Sequence, residues 1–162
     1  MDKVEFLILR NLLFNEQYTR KVIPFIKADY FEETNQKIIF EEILQFVQEY
    51  NQLATKEVLC IEVEKRSDIN DTSFKEIIQM VSCLEDVPVE FEWLTNTTEK
   101  WCRDRAIYLA LMDSIHIADG KDKDRNRDSI PSILSDALAV SFDTHVGHDY
   151  LEDYEQRYES YH

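Results

Sequence analysis

Apolar and polar residues alternate along this chain with the three-and-four spacing of α-helices almost from end to end. From Val4 to Phe14 the run V-E-F-L-I-L-R-N-L-L-F is apolar on nearly every side, which predicts a buried helix rather than one laid on a surface. Asn15 is placed to cap a second helix through Tyr18 and Val22 toward Pro24. After Asp29-Tyr30-Phe31 a longer helix is predicted from near Thr34, with Ile39, Ile43, Phe46, Val47 and Tyr50 inward. A shorter helix follows Thr55, with Val58, Leu59 and Ile61 to Val63 apolar, and residues 67–72 form a polar connection. Ser73-Phe74-Lys75-Glu76 has the spacing of a capping box, in which the Ser hydroxyl and Glu carboxylate would satisfy backbone N–H groups at a helix start. Ile77, Ile78, Val81 and Leu84 fill the inward side of that helix.

Val87-Pro88 breaks the pattern, because proline disfavours helix in the residue before it and has no N–H to donate. A subdomain boundary is expected there. Beyond it, residues 91–119 read as one uninterrupted helix, roughly 40 Å long at 1.5 Å per residue. Leu94, Trp101, Tyr108 and Ile115 recur every seventh position, and residues 106–112 are apolar nearly all round, so this helix requires partners on more than one face. Gly120 ends it and the charged run 121–128 forms a tip. Ser129 and Pro131 start a return helix with Ile130, Ile133, Leu134, Ala137 and Leu138 as a single stripe. The shorter arm can cover only one face of the longer, leaving apolar surface around Ile107, Leu111 and Ile115 for another subunit. The competing reading folds the globular half back over the hairpin and leaves a monomer.

The expected fold class is therefore all-α: a small globular helical bundle over residues 1–88, a long helical hairpin over 89–140 with arms at 91–119 and 129–140, and a C-terminal linker helix within 141–162. Composition agrees, since 2 Gly and 3 Pro in 162 residues leave few of the turns that hairpin-rich β folds use. A formal net charge of -15 opposes phosphate binding and argues that this domain does not itself grip nucleic acid. No run of about 18 apolar residues exists to span a membrane, and the acidic N-terminus lacks the basic start of an export signal. Cys60, Cys83 and Cys102 occur in helical patterns without a Cys-x-x-Cys pair, as free thiols do.

Candidate chemistry is sparse. No Gly-x-x-x-x-Gly-Lys-Ser/Thr stretch occurs, and Gly120 and Gly147 alone cannot build a backbone cradle for nucleotide phosphates, so no catalytic, nucleotide or metal site is expected in the chain. His145, His148 and Asp149 could supply two imidazoles and a carboxylate to a metal, which would make the chain a small metal-dependent hydrolase. Gly147 between the histidines favours a turn instead. The abundant neighbouring carboxylates, Glu41-Glu42 and Glu152-Asp153 among them, read as solvated helix faces.

The final segment is unusual: Tyr150, Tyr154, Tyr158 and Tyr161 fall at spacings of four, four and three with Leu151 alongside, opposite Glu152, Asp153, Glu155 and Glu159. Such a stripe suits a helix docked in another subunit's groove. Residues 137–143, A-L-A-V-S-F-D, then Val146-Gly147-His148-Asp149-Tyr150, then Asp153-Tyr154-Glu155 with Arg157, resemble the junction after the N-terminal domain in replicative helicases of T4-like bacteriophages. Weaker similarity extends through Asp29-Tyr30-Phe31-Glu32, Trp93-Leu94 with Glu99-Lys100, and Arg105-Ala106. The order of helices is similar to the broader DnaB-type collar domain.

That resemblance implies an N-terminal domain of a hexameric helicase, preceding a RecA-like ATPase domain that binds ATP and magnesium, unwinds duplex DNA 5′ to 3′ and works with a primase and a helicase loader at the replication fork in the host cytoplasm. The chain itself would carry no cofactor, meet DNA only through the full ring, and assemble with copies of itself as a dimer or a trimer of dimers. On this reading Leu94, Trp101, Tyr108, Leu111, Met112, Ile115, Ile133, Leu134 and Ala137 form the hairpin's subunit contact. Phe142, Val146, Gly147, His148, Tyr150, Leu151, Tyr154 and Tyr158 dock the linker on a neighbour. A standalone helical adaptor that binds a replicative helicase is the alternative.

Overall fold

A computed structural model of the chain describes residues 3–143, and its described elements are all helical. The seven α-helices are α1 (Lys3–Phe14), α2 (Glu16–Val22), α3 (Thr34–Tyr50), α4 (Lys56–Glu64), α5 (Asp71–Ser82), α6 (Phe91–Ala118) and α7 (Ile130–Leu138), with short 3-10 turns at Ile23–Phe25, Ala28–Tyr30 and Arg127–Ser129. Most starts are chemically marked. Asn15, Thr55 and Glu90 each accept a hydrogen bond from a backbone N–H of the first turn they cap. α3 ends in left-handed Asn51, whose side-chain and backbone oxygens accept from Arg20 at 2.8 and 3.1 Å.

One start differs from the sequence expectation. α5 begins at Asp71 with Asn70 as its cap, its Oδ1 accepting from the Ser73 N–H at 2.7 Å, so Ser73 lies inside the helix and the capping box does not form. Glu76 instead accepts from Asn35 Nδ2 of α3 at 3.1 Å and so joins two helices. An Asn three residues before the anticipated cap competes for the free N–H groups of the helix start and satisfies them first.

α1 to α5 enclose a core of Ile8, Leu9, Leu12, Tyr18, Phe31, Ile39, Phe40, Ile43, Leu59, Val63, Ile77, Val81 and Leu84. The chain does leave helix between Ser82 and Phe91, around Pro88. The core nevertheless runs across that break: Leu94 and Cys102 of α6 are fully buried in the same cluster, and Trp101 packs against Phe31 with ring centroids 4.9 Å apart and edge-on to Tyr30 at 6.0 Å. Helix α6 is thus both the last wall of the bundle and the long arm of the hairpin. At 1.5 Å per residue it is about 42 Å long, so its distal part extends past what the bundle covers.

A buried polar pair locks α2 to α6. The Thr98 hydroxyl donates to the Leu94 carbonyl at 2.8 Å, which leaves the Tyr18 hydroxyl, 2.7 Å away, to donate to Thr98 Oγ1. Burial raises the Tyr18 phenol well above its ordinary range.

The candidate assembly surface

Along its outer half α6 presents three kinds of position. Ala110, Ser114 and Ile117, at intervals of four and three, are buried on the side where α7 runs back, and Ala137 of α7 is buried with them. Small side chains at the crossing let the two helices approach closely. The tip is fixed by Arg125, whose guanidinium forks onto Asp113 of α6 at 2.9 and 2.7 Å and also reaches Asp122.

A second face remains open. Tyr108, Leu111, Met112 and Ile115 follow the i, i+3, i+4, i+7 spacing of one helical stripe, and all are between 48% and 54% exposed. Leu138 on α7 is 65% exposed, while Ile133 and Leu134 are half-buried. Isolated exposed apolar residues are ordinary on soluble proteins; four in register on one face of one helix are not. Where the stripe meets the bundle, Arg105 sits over the Tyr108 ring with 4.9 Å from its guanidinium carbon to the ring centroid. It also donates to the Tyr30 carbonyl and pairs with Glu32 at 3.4 Å, holding the arm to the 3-10 turn below.

The sequence-predicted contact residues therefore divide. Tyr108, Leu111, Met112 and Ile115 come together on a free surface. Leu94 does not: it has no exposed area and is spent on its own chain's core, and Trp101 is largely committed to Phe31 and Tyr30. Ala137 is likewise buried within the hairpin. The seventh-residue repeat is continuous, but the cover over it is not. Ile107, also anticipated on the open side, is half-buried.

The exit from the hairpin is anchored to this same chain. Glu99 accepts from the Phe142 N–H at 2.8 Å and the Ser141 hydroxyl at 3.1 Å, Arg103 donates to the Val140 carbonyl at 3.0 Å, and the Phe142 ring stacks on Phe25 at 4.9 Å. Phe142, expected to dock on a neighbour, has its ring on its own chain, because Phe25 and the half-buried Glu99 together offer an apolar face and a strong acceptor. Glu99 and Arg105, noted in the sequence only for their resemblance, and Arg103, not noted there, make structural contacts that the sequence did not reveal; only the Glu99–Arg103 spacing of four signals a pair, here 3.7 Å apart. The predicted linker residues Val146, Gly147, His148, Tyr150, Leu151, Tyr154 and Tyr158, and the His145, His148 and Asp149 trio, lie outside the described residues. Among the described residues no group of three or more His, Cys, Asp or Glu side chains could hold a metal ion, and no helix is long and apolar enough to cross a membrane.

Among the described residues, fold and surface define an all-helical module with an exposed apolar stripe on a projecting two-helix arm. By sequence the chain is similar to a DnaB-like replicative helicase: it is 34% identical to that of Enterobacteria phage T4, over 163 aligned positions covering 96% of this chain. It spans only 34% of that relative's length. No family model matches the chain. An all-helical segment of about that share is consistent with the N-terminal domain of such a helicase, the part that the junction at Ser141-Phe142-Asp143 resembles.

Proposed function

We propose that this chain is the collar-forming assembly domain of a phage replicative helicase, and that it pairs with a second copy through the distal face of α6. The supporting observation is the uncovered stripe Tyr108, Leu111, Met112 and Ile115 beside a return helix too short and too one-sided to cover it. Its role is geometric: it sets subunit spacing, while ATP and magnesium chemistry and 5′ to 3′ unwinding belong to an ATPase domain of the full-length protein. Residues 144–162 serve as the connection toward that domain. Primase and helicase loader are the partners of the assembled collar, and DNA passes through the ring without a strong grip from a domain of net charge -15.

The reading is tested by sedimentation equilibrium on Leu111→Glu and Trp101→Ala variants. Leu111→Glu places a charge in the proposed contact and is expected to abolish self-association while leaving Tm within a few degrees of the parent. Trp101→Ala removes a ring packed on Phe31 and is expected to lower stability by about 3 kcal/mol without acting on the contact. Unchanged mass for Leu111→Glu in an otherwise self-associating protein would rule out this face.

A further inference from the structure

A second apolar feature lies away from the hairpin stripe. Between α1 and the connector that leads into α6, Phe6, Leu7, Val87 and Trp93 line an open groove of about 540 Å³. Val87 is 50% and Trp93 53% exposed, so a large aromatic and a β-branched side chain face solvent together. Lys3 and Arg10, one on each side of two helical turns of α1, also border the groove, and among the described residues neither is paired with a carboxylate. The groove's own acid, Glu85, is engaged by Lys56 at 2.8 Å. In a chain with 33 acidic and 18 basic residues, two cations without a carboxylate partner among the described residues, beside an apolar groove, select an occupant that is aromatic and acidic.

We propose that the groove is a docking site for the chain's own segment 150–161. That segment carries Tyr150, Leu151, Tyr154 and Tyr158 as apolar anchors, with Glu152, Asp153, Glu155 and Glu159 against the single cation Arg157. The distance is short. Asp143 borders a pocket with Thr95, Asn96 and Glu99, and Trp93 lies one turn of α6 from Asn96. Six residues, Thr144 to Asp149, intervene and can span up to about 20 Å. Tyrosine rings against Trp93 and Phe6 bury large area at low entropy cost, and carboxylates meet Lys3 and Arg10 at the rim. Held there, the segment is stored on its own subunit, and leaving the groove precedes any engagement of the linker with a neighbour. This inference rests on the groove and not on the hairpin contact, so each can fail without the other.

The test uses the whole 162-residue chain labelled with 5-fluorotryptophan, whose two tryptophans give two ¹⁹F signals, assigned through Trp93→Phe. Replacing Tyr150, Tyr154 and Tyr158 together by Ser is expected to move the Trp93 signal toward the solvent-exposed position and enlarge its H2O/D2O isotope shift. The Trp101 signal, from a ring packed against the core on Phe31 and Tyr30, should stay where it is and report an intact fold. Lys3→Glu with Arg10→Glu should reproduce the shift, and adding Glu152→Lys with Glu155→Lys should reverse it. Leu111→Glu should leave Trp93 untouched. An identical Trp93 signal in parent and triple-Ser chains overturns the proposal. So does a parent signal that moves toward the exposed position on dilution, which would make the occupant a second copy.

Discussion

The Tyr18 and Thr98 hydroxyls, both without exposed area, show how direction of donation decides which residue matters more. Tyr18→Phe leaves Thr98 still donating to the Leu94 carbonyl, so no donor is stranded and the expected cost is about 1 kcal/mol. Thr98→Val removes the acceptor and leaves a phenol buried with no described partner, for an expected loss of about 2 to 3 kcal/mol. Urea unfolding of the two variants should show that order, and the reverse order would mean that Tyr18 is the acceptor. Cys102 adds a pH dependence at the same contact layer. Burial first, and the charge of Glu99 second, push its thiol from the ordinary 9.0 up to about 12. Between those values the unfolded chain has lost a proton that the folded chain keeps, so stability is complete below pH 9 and falls as pH rises toward 12. Tyr18, also raised, acts in the same direction above 10.0. The urea midpoint should therefore decline above about pH 9, with a shallower slope in Cys102→Ala; a flat profile would show that neither group is desolvated.

Helix starts carry the prediction at the next scale. Asn70, not Ser73, accepts the free N–H at the head of α5, so Asn70→Ala should cost about 1 kcal/mol. Ser73→Ala should stay within about 0.5 kcal/mol, as substitutions away from such features do. Thermal melts of the pair decide between the cap in the structure and the one the Ser-x-x-Glu spacing suggested. Element by element, the helices were legible because each depends on local pattern: α6 was expected over 91–119 and spans Phe91–Ala118, and the return arm expected over 129–140 spans Ile130–Leu138. What local pattern could not reveal was how far the bundle reaches up α6. Leu94 and Tyr108 occupy equivalent places in the seventh-residue repeat, yet one is sealed by residues such as Tyr18 and Phe31, distant in sequence, and the other is open. The stacking of Phe142 was illegible for the same reason, since its partner Phe25 lies 117 positions earlier and no spacing rule links them. The groove at Trp93 was not legible in the sequence because its walls come from α1 and the connector around Pro88, which only the fold brings together.

At the scale of the whole molecule, the charge and the stripe oppose each other, and salt separates them. Two copies each bearing a formal charge of -15 repel, while contact through Tyr108, Leu111, Met112 and Ile115 draws its attraction from apolar burial, which salt does not screen. Raising ionic strength from about 0.01 to 0.15 M shortens the screening length from about 30 to 8 Å. Repulsion between surfaces several such lengths across then weakens, and the apolar term stays. Self-association of the chain should therefore strengthen over that range, with the sedimentation-equilibrium Kd falling as NaCl is added. An interface built instead on ion pairs from the exposed Lys100 and Asp104, or from Arg105 released from Glu32, would respond in the opposite sense. The sign of the salt dependence thus tells whether the contact is held by the apolar face of α6 or by the charges around its base.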